Sequence, residues 1–219
     1  MITYDDIIKN EDIKNYITHA DNSLEVLGFT EHSFAHVGRV ARTAEYILST
    51  LGCDEHQIEL AKIAAHLHDI GNLVNRQEHS QSGAVMAFRI LDKLGMPSDD
   101  VATIVTAIGN HDEGTGVAVN AVAAALILGD KTDVRRSRVR NRDISAFDIH
   151  DRVNYSVTKS EVIINKERTA ITLKLDVDTE FGSIMDYFEI FMGRMIMCRK
   201  AAEALGVQFK LEMNGQQLL

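Results

Sequence analysis

A single proline, Pro97, stands in a chain of 219 residues. Proline removes a helical hydrogen bond and clashes with the preceding turn, so a chain almost free of it can be helical over long stretches. The apolar residues use that freedom. From Ser33 to Leu51, Val37, Val40, Ala41, Ala44, Ile47, Leu48 and Leu51 fall on one stripe, and Gly52 follows where a helix stops. The same periodicity predicts helices over 55–69, over 82–94 with a stop at Gly95, and over 98–111. Ser98 is the expected N-cap of the last, with Val101, Ile104, Val105 and Ile108 on its buried face. A fifth helix, 119–130, is apolar on every side and is therefore expected at the centre of a bundle.

Beyond about Asn141 the period changes. Ile171, Leu173, Leu175 and Val177 alternate with Thr172, Lys174 and Asp176, which predicts a strand with one wet face. Val207, Phe209, Leu211 and Met213 do the same. Val162 and Ile164 are assigned to a partner strand, turned at Asn165–Arg168, and Ser183 to Leu205 reads as one long helix. The expected fold is mainly α: a helical domain over 1–143, then a small α+β subdomain over 144–219 in the order strand–strand–helix–strand. Met185, Met192, Met195 and Met197 are packing surface on the last helix. A three-stranded sheet cannot cover so much apolar surface, so a homodimer contact through the tail is expected.

Composition narrows the partners. An apolar fraction of 45% and a charged fraction of 25% describe a globule with a real core and exclude a disordered or collagen-like chain. Lys and Arg number 23 against 32 Asp and Glu, a net charge of −9. That argues against a general nucleic-acid binder, whose affinity rests on neutralising phosphates. Cys53 and Cys198 have no metal-ligand spacing, and a reducing cytoplasm suits them. The acidic N-terminus lacks the charge of a signal peptide, and the longest apolar run, Val117 to Gly129, is broken by Asn120 and too short for a bilayer.

The chemistry is carried by histidines and carboxylates. On helix 55–69, His68 lies near the middle of the apolar arc, whereas His66 lies opposite with Glu59 and Lys62 and is expected in solvent. His36 borders the stripe of the 33–51 helix, and His111 extends the line Val101, Ile104, Ile108. Three inward imidazoles thus come from three helices. Asp69 follows His68 at a helix end, and Asp130 ends the all-apolar helix. A lone buried carboxylate is too costly to leave uncompensated. Imidazoles and carboxylates brought together form a mixed N/O site suited to Fe, Mn, Co, Ni or Zn.

His36 before Val40 and Ala44, the doublet His68-Asp69 before Ile70-Gly71, and the later Asp130 resemble the HD superfamily of metal-dependent phosphohydrolases. The resemblance covers about residues 25–145 and implies an HD-type helical bundle followed by the α+β tail. Binuclear members of that superfamily carry two further histidines, whose positions are matched by His79 and His111. By resemblance, one divalent ion is held by His36, His68, Asp69 and Asp130. A second is held by His79 and His111, with Asp69 bridging; Fe or Mn leads the candidates. Asn72 replaces the lysine frequent after the doublet's glycine, and the GYP signature of one binuclear branch is absent. The implied reaction is hydroxide attack at phosphorus in a nucleotide or another small phosphoester or phosphoanhydride, with Asp69 and Lys131 as catalytic residues.

Residues 130–140 form the one strongly basic run. Lys131, Arg135 and Arg138 are its candidates for gripping a substrate phosphate. Pairing of the arginines with Asp143, Asp148 and Asp151 is the alternative, and Asp133 can pair with one of them. His19, His32, His56, His66 and His150 are expected at the surface. Two other functions fit the same residues: a one-metal nucleotidase, and a catalytically idle HD module in which metal stabilises the fold.

Overall fold

Most of the helices begin at side-chain caps, and two of them precede the first that periodicity indicates. In the computed structural model, which describes residues 2–219, the acidic start of the chain is α1 (Tyr4–Lys9) followed by α2 (Glu11–Val26). Thr3 and Asp6 form a reciprocal capping box on α1, and the Asn10 side chain accepts from the Ile13 amide to cap α2. The next helices follow the apolar stripes: α3 (Phe34–Leu51), α4 (Glu55–Leu67), α5 (His79–Lys93), α6 (Ser98–Gly109) and α7 (Ala121–Lys131). Ser33 caps α3 at one end, and Gly52, at φ +85°, closes it at the other.

Three boundaries differ from expectation in ways that matter. Helix α5 starts three residues before Ser82, so His79 is its first residue rather than part of a loop. Helix α6 stops at Gly109, which leaves His111 beyond the helix end, and Pro97 rather than Ser98 occupies the N-cap. Helix α4 stops at Leu67, with His68 at the C-cap and a short 3-10 turn over Ile70–Leu73.

The all-apolar α7 is the centre of the molecule. Residues Val122 to Gly129 are buried, and α7 packs against α3, α4, α6 and α9. After it come two short 3-10 turns, at Arg136–Arg138 and Ile144–Ala146, between which the expected division at 143/144 falls. Then follow an unanticipated α8 (Ile149–Ser156), β1 (Val157–Ile164), β2 (Ala170–Val177), α9 (Ile184–Ala204), β3 (Gln208–Met213) and a two-residue β4 (Gln216–Gln217). The sheet is ordered β1-β2-β3-β4: β1 and β2 pair antiparallel, β2 and β3 parallel across the α9 crossover, and β3 and β4 antiparallel. Ile171, Leu173 and Leu175 pair with Phe209, Leu211 and Met213 on the covered face.

The core of the tail is not separate from the bundle. Ile47, Ala124, Ile127 and Leu128, from α3 and α7, share one apolar cluster with the strands and α9. Met195 and Met197 are buried there, whereas Met185, Met192 and Ile196 are exposed on α9. The expected homodimer contact rests on these three. No described helix is long and apolar enough to cross a membrane.

Candidate metal centre

Five chain segments end at one buried point. His36 comes from the first turn of α3, His68 and Asp69 from the end of α4, His79 from the start of α5, His111 from just beyond α6, and Asp130 from the last turn of α7. His36 and His68 are fully buried, and His79, His111 and Asp69 nearly so. His36 Nε2 lies 3.3 Å from Asp130 Oδ1 and 3.5 Å from Asp69 Oδ2. His68 Nε2 lies 3.2 Å from Asp69 Oδ2 and 3.7 Å from Asp130 Oδ1. On the other side, His79 Nε2 is 3.5 Å from Asp69 Oδ1 and 3.2 Å from His111 Nε2. Asp69 therefore turns one oxygen to each group of imidazoles.

The ring nitrogens facing away decide the tautomers. His36 Nδ1 contacts Asp133 Oδ2 at 2.8 Å, His68 Nδ1 the Ala65 carbonyl at 2.8 Å, His79 Nδ1 the Arg76 carbonyl at 3.1 Å, and His111 Nδ1 the Ile108 carbonyl at 2.6 Å. Carbonyl and carboxylate oxygens only accept, so each Nδ1 carries a proton and donates it. The neutral rings then present bare Nε2 lone pairs inward. His36 Nε2 and His68 Nε2 have no hydrogen-bond partner. The His79 and His111 lone pairs face each other at 3.2 Å, a contact that is repulsive without a cation between them. The ligand atoms of His36, His68 and Asp130 lie within 4.8 Å of one another, as do those of His68, Asp69 and His111. These clusters can hold a divalent metal.

The charges agree. Burial alone would neutralise both carboxylates. For Asp69 the charge of His68 and the close approach of the His36 and His68 rings overcome it; for Asp130 the charge of Lys131 and the same two rings do so, and both acids stay ionised. Burial also disfavours a charged His68, yet Asp69 and Asp130 raise its pKa to about 10, so without metal a proton takes the cation's place. His111 is held neutral by burial and by the neighbouring His68. Asn72, where a lysine is frequent in the superfamily, donates to Asp69 Oδ1 at 2.9 Å and fixes that carboxylate.

Asp133 acquires a role that spacing did not reveal. It is fully buried, and besides His36 it accepts from Arg135 Nε at 2.9 Å and pairs with Arg39 Nε at 3.0 Å. A carboxylate behind a ligating histidine fixes the ring and raises its basicity. Asp133→Asn is expected to lower metal affinity about 10–100-fold while leaving the fold intact. Metal titration against a chelator checks this, and an unchanged affinity would remove Asp133 from the centre.

The basic run is mostly engaged with acids: Asp133 takes an arginine as expected, whereas the other partners are not Asp143, Asp148 or Asp151. Arg135 turns to Asp133 and Glu31, Arg136 to Asp178, and Arg140 to Asp21 and Glu25. Arg135 thus braces Asp133. Arg138 is buried, donates to the Glu31 and Asp133 carbonyls, and lines a cavity beside the centre. Lys131, also buried, places Nζ 2.8 Å from Asp130 Oδ2 and 3.6 Å from Glu113 Oε1.

Two histidines are not where the helical wheel put them. His32 is half-buried at the edge of the centre, its ring centroid 5.5 Å from that of His36. His66 is buried, because α1 and Phe34 cover the face it shares with Glu59 and Lys62: Tyr4 donates its amide to Glu59 and lies edge-on to His66. Neither ring nitrogen of His66 has a partner. Burial first, and the charge of His68 second, lower its pKa from 6.5 to about 4. Above about pH 6.5 the ring is neutral folded or unfolded. As pH falls to about 4, the unfolded chain takes up a proton that the folded chain refuses, and stability drops by up to about 3 kcal/mol. His66→Leu is expected to flatten this acid limb. Urea unfolding at pH 7 and 4.5 measures it; equal losses in both proteins would reject the assignment.

A family model for the HD domain matches residues 33–153. An uncharacterized protein of Methanocaldococcus jannaschii is 25% identical over 203 aligned residues, covering 82% of this chain and 77% of that protein. The crystal structure of a predicted HD superfamily hydrolase from an uncultured Thermotogales bacterium is 28% identical, with a TM-score of 0.46 over 57% of this chain and 67% of that one. The matched stretch contains His36, His68, Asp69, His79, His111, Asp130 and Asp133.

Proposed function

Since this chain belongs to the HD domain family, we propose that it is a metal-dependent phosphohydrolase acting on a nucleotide or another small phosphoester or phosphoanhydride. One observation carries the reading: four buried imidazoles keep their protons on Nδ1 and turn bare Nε2 atoms toward a carboxylate that offers one oxygen to each side. His36, His68, Asp130 and Asp69 Oδ2 would hold one ion; His79, His111 and Asp69 Oδ1 would hold the other. The donors are nitrogen and oxygen only, which suits Fe or Mn first and also Co, Ni or Zn. Such ions, when bound, supply Lewis acidity to phosphate oxygens and hydroxide near neutral pH.

The chain's own residues do the rest. Lys131 is held between Asp130 and Glu113, where its ammonium can take a phosphate oxygen beside the metal ligands. Asn72 and Asp133 keep Asp69 and His36 from rotating away. The test is metal content per chain together with a screen of nucleotides and small phosphoesters in Mn²⁺. Two ions per chain and turnover of a phosphoester are expected. One ion per chain reduces the centre to a single site, and two ions with no turnover of any phosphoester reject the hydrolase.

A further inference from the structure

Between the bundle and the tail lies a cavity of about 320 Å³, which the motif residues do not line. Its walls come from both parts of the molecule: the α2–α3 loop, Arg76 and Arg138 on one side, α8 and α9 on the other. Two of its guanidiniums are seated on aromatic rings. Arg76 lies 5.7 Å from the Phe29 ring centroid, and Arg194 lies 4.2 Å from that of Phe191. Both reach toward the metal centre. Arg76 NH1 is 3.8 Å from Asp69 Oδ1. Arg194 Nε is 2.6 Å from Glu113 Oε1, the oxygen that also meets Lys131. On the α8 side stand Asp151 and the buried Asn154, whose amide nitrogen is tied to the His150 carbonyl, while no described donor reaches its amide oxygen.

We propose that this cavity is the leaving-group pocket of the centre. Arg76 and Arg194 grip the phosphate of a monoester, and Asn154 and Asp151 read the hydroxyls of a sugar-sized leaving group. The proposal rests on the phosphohydrolase reading above. Arg76, Arg138 and Arg194 outnumber Asp148 and Asp151 in the lining, and the forked donors of Arg76 and Arg194 suit the oxygens of a terminal phosphate. A volume of about 320 Å³ is at the small end of ligand sites, enough for a sugar phosphate or a nucleoside monophosphate. In the reaction, water's oxygen bonds to phosphorus and the bond from phosphorus to the ester oxygen breaks. The departing alcohol takes one of the water's protons, leaving orthophosphate and the free sugar or nucleoside. The α+β tail, on this account, is the specificity element of the enzyme.

Calorimetric titration of the metal-free full chain with ribose 5-phosphate and with inorganic phosphate tests the pocket without turnover. The wild type is expected to bind the ester about tenfold more tightly than phosphate, since the added hydrogen bonds belong to the leaving group. Asn154→Ala is expected to erase that preference, and Arg194→Gln to weaken both ligands. If Asn154→Ala fails to fold by thermal melting, Asp151→Asn on the half-exposed side of α8 serves in its place. Equal affinities in the wild type, or a preference that survives these α8 variants, overturn the pocket. Failure here and failure of the hydrolase are separable. A chain that prefers the ester yet hydrolyses nothing with Mn²⁺ keeps the pocket and loses the hydrolase; one that hydrolyses phosphoesters without preference does the reverse.

Discussion

Asp69→Ala is expected to empty the metal centre and to lower turnover by at least about 10³-fold. Asp69 turns an oxygen to each side: Oδ2 faces His36 and His68, while Oδ1 faces His79 and takes the Asn72 hydrogen bond. Removing it leaves three donors on one side and two imidazoles on the other. The loss in affinity should exceed the about 10–100-fold that an outer partner such as Asp133 costs. A ligand bound only by the native chain stabilises it by mass action, so metal should raise the melting temperature of the wild type and not of the variant. Elemental analysis, melting with and without a chelator, and phosphoester turnover check this together. Full metal content with full activity would sink the assignment.

Gly71→Ala should be nearly as damaging for a reason that has no chemistry in it. A Cβ at Gly71 would stand 2.0 Å from the His79 carbonyl oxygen, 2.5 Å from the Gly83 amide nitrogen and 2.6 Å from Ser82 Oγ. The first two are backbone atoms of α5 and cannot rotate aside, so the helix must retreat. It carries His79 with it, away from His111 and Asp69. We expect a stability loss of about 2–4 kcal/mol and a fall in metal content that begins at the His79–His111 side. Gly38→Ala is the control, since only the tip of the Arg42 side chain lies near, at 3.4 Å. A Gly71→Ala protein with unchanged melting and metal content would mean that the 70–73 turn and α5 are not in this contact.

Both predictions start from a doublet that is plain in the sequence, and the contrast between its two neighbours shows where legibility stops. His68 was placed inward because its apolar arc is local to one helix. The same wheel points His66, two residues earlier, outward, and the structure reverses it. Its partners on the wheel, Glu59 and Lys62, are indeed polar, but they serve as anchors for α1: Tyr4 donates to Glu59, and Lys62 sits 4.9 Å from the Tyr4 ring centroid. A polar helix face is solvent-facing only when no other segment needs it. The basic run illustrates the same limit, because its acids arrive from α2, from the loop before α3 and from after β2.

The sequence by itself determined the helices α3 to α7, the strand alternation of the tail, and the set of histidines and aspartates that meet. The elements depend on periods of 3.6 and 2 residues or on turn chemistry acting within a few positions; the set of ligands depends also on the resemblance to the HD superfamily, through which His79 entered. The tertiary structure alone decided that Asp133 stands behind His36 and sets its tautomer, that Arg135 bridges Asp133 and Glu31 rather than facing the centre, and that α8 and α9 wall a cavity beside it. Those outcomes turn on contacts between residues about a hundred or more positions apart, such as His36 and Asp133 at a separation of 97. They exist only once α3, α7 and α9 have docked, because hydrogen bonds and ion pairs act over a few ångströms while spacing along the chain carries no record of that approach.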